Sequence, residues 1–205
     1  VFAILFLLSI SLSAQIPAPL LAVKEKLEGI EEAKAKLRLN VDIDFINMPE
    51  KEANLHYIKD KPLSYTSEHF VFIPKKGLDF SWSGLFDYQF IAVDRGIQVK
   101  NNQQIQAFSI IPDDEKADFS IMTLAIDIDQ NQIVSAEVST KNEGTYELQF
   151  TYESKAAFPS SIEASFMLEK VKIPLNFMGS DTDIDRKSMR KEGEKTGKVY
   201  LAIDW

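Results

Sequence analysis

Residues 118–152 read DFSIMTLAIDIDQNQIVSAEVSTKNEGTYELQFTY, and this stretch restricts the fold more than any other. Tyr146, Leu148, Phe150 and Tyr152 alternate with Thr145, Glu147, Gln149 and Thr151. Successive side chains of a strand point to opposite faces, so one face here is apolar and the other wet. Val134, Ala136 and Val138 alternate with Ser135, Glu137 and Ser139 in the same way. In the segment before them, Met122, Leu124, Ile126 and Ile128 share one face, and Phe119, Ile121 and Ala125 the other. Asp129-Gln-Asn131 and Asn142-Glu-Gly144 interrupt the pattern with residues that tolerate the backbone angles of tight turns. The pattern predicts three consecutive antiparallel strands, a β-meander with one oily face.

The rest of the chain extends this sheet. Leu39, Val41, Ile43 and Phe45 alternate with Arg38, Asn40, Asp42 and Asp44, which predicts a half-buried strand from residue 37. Further strands are expected over 53–59, over 64–73 with Tyr65, Phe70 and Phe72, and over 162–171 and 199–205. Weaker ones are expected over 78–82, 88–94, 98–100 and 104–111, with Ser83-Gly84 and Arg95-Gly96 as breaks. A single helix precedes them, from Pro17 to about Lys36. Leu20, Val23, Leu27 and Ile30 recur on one side of it, and Lys24 with Glu28 and Glu32 with Lys36 are i,i+4 pairs on the other. Residues 179–198 mix Asp181, Asp183 and Asp185 with Arg186, Lys187 and Arg190, and read as a charged loop or partly helical excursion.

Composition closes off several classes of function. A net charge of −8 argues against nucleic acid, whose phosphates need clustered Lys and Arg. The chain has no cysteine, which removes disulfides, thiolate nucleophiles, zinc-thiolate sites and N-terminal lipid attachment through Cys. Residues 1–14 are apolar up to Leu12 and end in Ser13-Ala14, the pattern of a secretory signal peptide. They lack an initial Met and the usual positive residues, so the expectation is a signal peptide missing its start, followed by one domain over 15–205.

Catalytic chemistry is sparse. His56 and His69 lie in strand patterns and read as ordinary surface or rim histidines. No nucleophile elbow, zinc-protease motif or phosphate-cradling Gly loop is present. Asp181, Asp183, Asp185 and Glu192 have the spacing of a calcium loop, but Arg186 stands where that loop needs Gly. No cofactor and no metal are expected.

One helix followed by about ten antiparallel strands must close, split into two sheets or curl around something. The order of elements resembles the outer-membrane lipoprotein carrier (LolA-like) family over residues 20–170. Tyr57-Ile-Lys-Asp-Lys-Pro62 matches the family strand that ends in a basic residue before Pro, and the meander matches its later strands. The resemblance implies an unclosed half-barrel, a curled antiparallel sheet with the helix on its concave face. It implies a non-catalytic carrier of lipoprotein or lipid acyl chains in the periplasm. An inner-membrane release transporter and an outer-membrane acceptor would be its partners. Lys61 holds the place of the family's basic residue, usually Arg, that contacts the helical lid. On this reading the acyl chains meet Leu39, Val41, Ile43, Phe70, Phe72, Leu124, Ile126, Leu148 and Phe150, under a lid of Leu20, Val23 and Leu27. The alternative is an envelope β-protein with a solid core that binds another protein or a cell-wall component. A monomer is expected in either case.

Overall fold

The computed structural model describes residues 16–67, 83–86, 89–100, 102–142, 144–167, 181–190 and 196–205. Helix α1 (Ala18–Glu28) precedes β1 (Glu32–Asp42), β2 (Ile46–Asn47), β3 (Lys51–Ile58) and β4 (Ser64–Thr66). A single helical turn, α2 (Ser83–Phe86), leads to β5 (Phe90–Lys100) and β6 (Gln103–Pro112). The meander follows as β7 (Phe119–Asp127), β8 (Gln132–Thr140) and β9 (Thr145–Thr151), then β10 (Ser161–Met167). The charged excursion contains β11 (Asp183–Ile184) and the short helix α3 (Arg186–Met189), and β12 (Thr196–Asp204) completes the described elements.

Ten strands form one antiparallel sheet in the order β4-β3-β1-β12-β10-β9-β8-β7-β6-β5. Six consecutive strands, β5 to β10, pair by successive short connections. The last strand, β12, joins them to β1, with Leu201 opposite both Leu39 and Ile162. Strands β4 and β5 stay at opposite edges, so the sheet is not closed. It is nevertheless curled. Strands β3 and β8 stand five ladder steps apart, about 24 Å in a flat sheet. Yet Lys59, just past β3, and Gln130, just before β8, both meet the last turn of α1, and a helix is only about 10–12 Å wide. The helix therefore lies in the concavity, where Leu20, Val23 and Leu27 are buried in one core with Leu37, Leu55, Leu124, Leu148 and Leu201.

The expected fold class is the one observed, with local corrections. Helix α1 stops at Glu28 rather than near Lys36, and Gly29 follows it. Gly is among the poorest helix formers, and from there Ala33, Ala35, Leu37 and Leu39 repeat with period 2. Residues 32–36 therefore begin β1, and Glu32 and Lys36 are not a helical pair. Lys24 and Glu28 do pair, at 3.2 Å. Strand β1 ends at Asp42, so Ile43 and Phe45 are buried in the turn toward β2, where Ile43 bridges Ile46. Arg95-Gly96 is no break. It is an irregularity inside one eleven-residue strand, with Asp94 opposite Phe108 and Ile97 opposite Gln106. Gly96 has φ +91°, a conformation that favours glycine. A register shift between Phe119 and Ile121 turns Phe119 inward, and another near Val134 buries Ile133 in its place. At β12, Gly197 faces Phe166, whose ring would meet an added Cβ at 2.8 Å. The expected strand over 78–82 and residues 67–73 beyond Ser67 lie outside the described residues, as do 1–14.

Candidate functional site

Cross-strand register assembles the inner face into lateral rows. One row runs Val41–Val199–Ala164–Leu148–Ala136–Leu124–Phe108 across seven strands. The neighbouring row runs Leu39–Leu201–Ile162–Phe150. Ile126 stands beside them, between Gln106 and Ile133. Leu39, Leu124, Ile126, Leu148 and Phe150 thus belong to one continuous apolar face, and all five are buried. Val41 lies in the first row but is only partly buried, and Ile43 sits at the rim in the turn after β1. Phe70 and Phe72 lie outside the described residues. Two alanines flank Leu148 in the row, so the floor is lower there than beside a run of leucines.

The helix that covers this face is held by two lysines that the sequence pattern did not single out. Lys59 Nζ donates to the Glu28 carbonyl at 2.8 Å and to Glu31 Oε1 at 3.2 Å. The Glu31 carboxylate holds the Lys59 ammonium above its ordinary pKa. From the helix itself, Lys26 Nζ reaches 2.8 Å to the Gln130 carbonyl in the β7–β8 turn. Burial lowers the Lys26 pKa, and nearby Asp127 works against that shift. Asp127 is buried and builds the turn, accepting from the backbone N–H groups of Asp129 and Gln130 and from Gln103 Nε2. Lys61, the expected lid contact, is exposed, and its backbone N–H closes a turn onto Ile58. The cation that meets the helix stands two residues earlier. An alternating strand followed by a turn carries no signal for which of two nearby lysines bends back.

The two ends of the half-barrel differ. At the end near Glu28, Tyr57 packs edge-on against Phe158 with ring centroids 4.8 Å apart, and Phe158 stacks on Trp205 at 4.6 Å. Trp205 Nε1 donates to the Pro159 carbonyl at 2.8 Å. At the other end, Lys51 is 3% exposed and forms an ion pair with Asp181 of the charged excursion. Lys51 is in phase with Ala53, Leu55 and Tyr57, so period 2 alone places it on the inner face. Strand β11 pairs with β2 beside it.

Candidate polar sites elsewhere are occupied by structural duties. Asp185 caps α3, accepting from Lys187 N and Ser188 N, and Asp181 meets Lys51. Two of the calcium-like positions are therefore engaged, and Glu192 lies outside the described residues. Among the described residues no group of three or more His, Asp or Glu side chains is placed to hold a metal ion. His56 is on the outer face, its Nε2 2.7 Å from Glu32 Oε1. His56 and Lys34 together lower the Glu32 pKa. An outer-face groove of about 500 Å³ lies there, lined by Lys34, Lys36, Asn54, Thr66 and Asp204 among others. Lys34 is paired with Glu32, and Asp204 with Arg38. His69 lies outside the described residues. No helix among the described residues is long and apolar enough to cross a membrane.

No family model matches the chain, and no curated protein matches it. Solved structures similar to it include a domain described as an outer membrane lipoprotein-sorting protein, from Vibrio parahaemolyticus. That one is 10% identical, with 90% of this chain and 89% of that one covered and a TM-score of 0.43. A DUF1329 family protein from Desulfovibrio piger is 10% identical, covers 91% and 92% of the two chains and gives 0.49. A LolA superfamily protein from Nitrosomonas europaea is 10% identical, covers 90% and 92% and gives 0.45.

Proposed function

We propose that the chain is a non-catalytic carrier that takes an acyl chain, of a lipoprotein or a lipid, onto the concave face of its sheet. The observation that carries this reading is how that face is covered. A continuous apolar surface across seven strands is sealed by the three buried side chains of an eleven-residue helix, Leu20, Val23 and Leu27. Among the described residues, the polar fastenings of that helix to the strand ends are two lysine–carbonyl bonds, which water can replace. Lifting it exposes three apolar side chains at about 1.5–3 kcal/mol each, and about six to eleven buried methylenes at ~0.8 kcal/mol each would offset that. Acyl chains of ordinary length supply that many. Helix and ligand would thus exchange on the same surface, with closed and loaded states near each other in free energy. The periplasm is the compartment that suits this task, with membrane proteins on either side as donor and acceptor.

The burial of Leu124, Ile126 and Ile133 favours the second reading, a solid-cored β-protein of the envelope that binds protein or cell wall. Native mass spectrometry of the protein purified from its own envelope separates the two. The carrier reading expects added mass matching a lipid or an acylated protein, released when the protein is denatured. A bare polypeptide mass at every purification step would reject it.

A further inference from the structure

Resting on the carrier reading above, we propose that the acyl ligand is a long-chain carboxylic acid, with Lys51 holding its head group in the place that Asp181 fills in this structure. Among the described residues Lys51 is the only buried cation. Its cross-strand partner is Leu39, and residues opposed in an antiparallel pair share a face. The row Leu39–Leu201–Ile162–Phe150 of the concave face therefore continues to Lys51. That row crosses five strands, about 19 Å along a flat sheet. It has an ammonium at one end and apolar side chains along the rest. A fatty acid has the same order of groups, one charge and then methylenes. Sites for such ligands are mostly apolar, with a few polar groups that fix orientation.

The fold itself gives no reason for a cation at this position. An apolar side chain of similar size would cover Leu39 with no ion to desolvate. The surroundings of the ammonium suit a ligand instead. Its partner in this structure is a carboxylate, the same group a fatty acid brings. The Asp181 side chain is 46% exposed and that of Lys51 2%, so the carboxylate lies on the solvent side of the ammonium and has an outward path. The excursion that carries Asp181 is lightly fastened there. Among the described residues Asp183 pairs with Asn47 and Ile184 with Ile46, and the Asp185 N–H donates to the Phe45 carbonyl at 3.0 Å. An ammonium–carboxylate bond is charge-assisted and gains strength where water is excluded. Leaving Lys51 without an anion is costly, so the ligand carboxylate and Asp181 exchange one for the other. A neutral head group, such as the ester or amide linkage of an acylated protein, offers no such exchange. The buried cation therefore favours a free fatty acid over an acylated protein as cargo.

Fluorescence titration with cis-parinaric acid and with its methyl ester tests the head group apart from the tail. The parent protein is expected to bind the acid about tenfold more tightly than the ester, and Lys51→Met to bind the two alike. A second measurement uses Asp181→Ala, which leaves the ammonium without its carboxylate. Myristate is expected to raise the melting temperature of that variant more than that of the parent, and methyl myristate to give no such difference. Equal affinity of the parent for acid and ester would overturn the head-group assignment and leave the carrier reading standing. Binding of neither probe would overturn both. A preference for the acid that survives in Lys51→Met, with no added stabilisation of Asp181→Ala by myristate, would place the head group at another cation and overturn the assignment.

Discussion

Lys51 is a charge placed where period 2 asks for an apolar residue, and Asp181 is what makes that tolerable. A buried ion is expensive when its partner is lost, whereas replacing it with an apolar side chain of similar size is often neutral or better. Two substitutions on one contact should therefore act in opposite ways. Asp181→Ala is expected to destabilise by about 3 kcal/mol, because it leaves the ammonium of Lys51 buried without its carboxylate. Lys51→Met is expected to change stability by less than about 1 kcal/mol or to raise it. Urea denaturation of the two variants checks this, and equal losses would show that the pair contributes by some route other than compensation of a buried charge.

At the scale of elements, the lid is the part whose attachment is polar at its rim and apolar beneath. Lys59→Ala and Lys26→Met together remove both lysine–carbonyl bonds while leaving Leu20, Val23 and Leu27 in place. Hydrogen exchange of α1 amides should speed up by about tenfold, with β8 to β10 unchanged. Equal acceleration throughout would mean that the helix opens only with the whole sheet. Strict alternation made the meander and the inner face of β1 legible in the sequence, and with them Leu39, Leu124, Leu148 and Phe150 as neighbours in space. The helix end was not, because Glu32 to Lys36 suits both periods. Ala33 and Ala35 are good helix formers as well as small strand residues. The irregularities at Phe119, Val134 and Arg95 were not, because one extra residue leaves little trace in composition yet reverses every face beyond it. The insertion of β12 between β1 and β10 is a pairing between distant parts of the chain, which local pattern does not encode. The lysines escaped notice for a simpler reason, since a lysine in an alternating run usually reads as surface.

The molecule as a whole carries its titration behaviour in a few partly buried groups. Burial raises the Tyr152 phenol far above its ordinary value and raises Tyr57 as well. Glu31 and Glu163 raise Lys59 and Lys198. A group whose folded pKa is raised contributes stability that is complete below its unfolded pKa and lost as pH climbs toward the folded one. Among the described residues Lys26, lowered by burial, works the other way, as does Glu32, lowered by His56 and Lys34, though a carboxylate titrates only at acid pH. Stability should therefore fall above about pH 10, with Tyr152 alone accounting for about 1.4 kcal/mol per pH unit. Melting curves of Tyr152→Phe should be less steep in that range, and curves parallel to the parent protein would place the loss elsewhere. The central claim, that α1 and an acyl chain compete for the concave face, is tested most directly by fixing the helix. Lys26→Cys and Gln130→Cys, joined by a short bismaleimide in a chain with no other thiol, hold the lid where Lys26 already reaches across. Fluorescence titration with cis-parinaric acid should show saturable uptake by the same variant before cross-linking and at least tenfold weaker uptake after it, with the fold intact by circular dichroism. Equal uptake by the joined and unjoined protein, or none by either, would contradict the account.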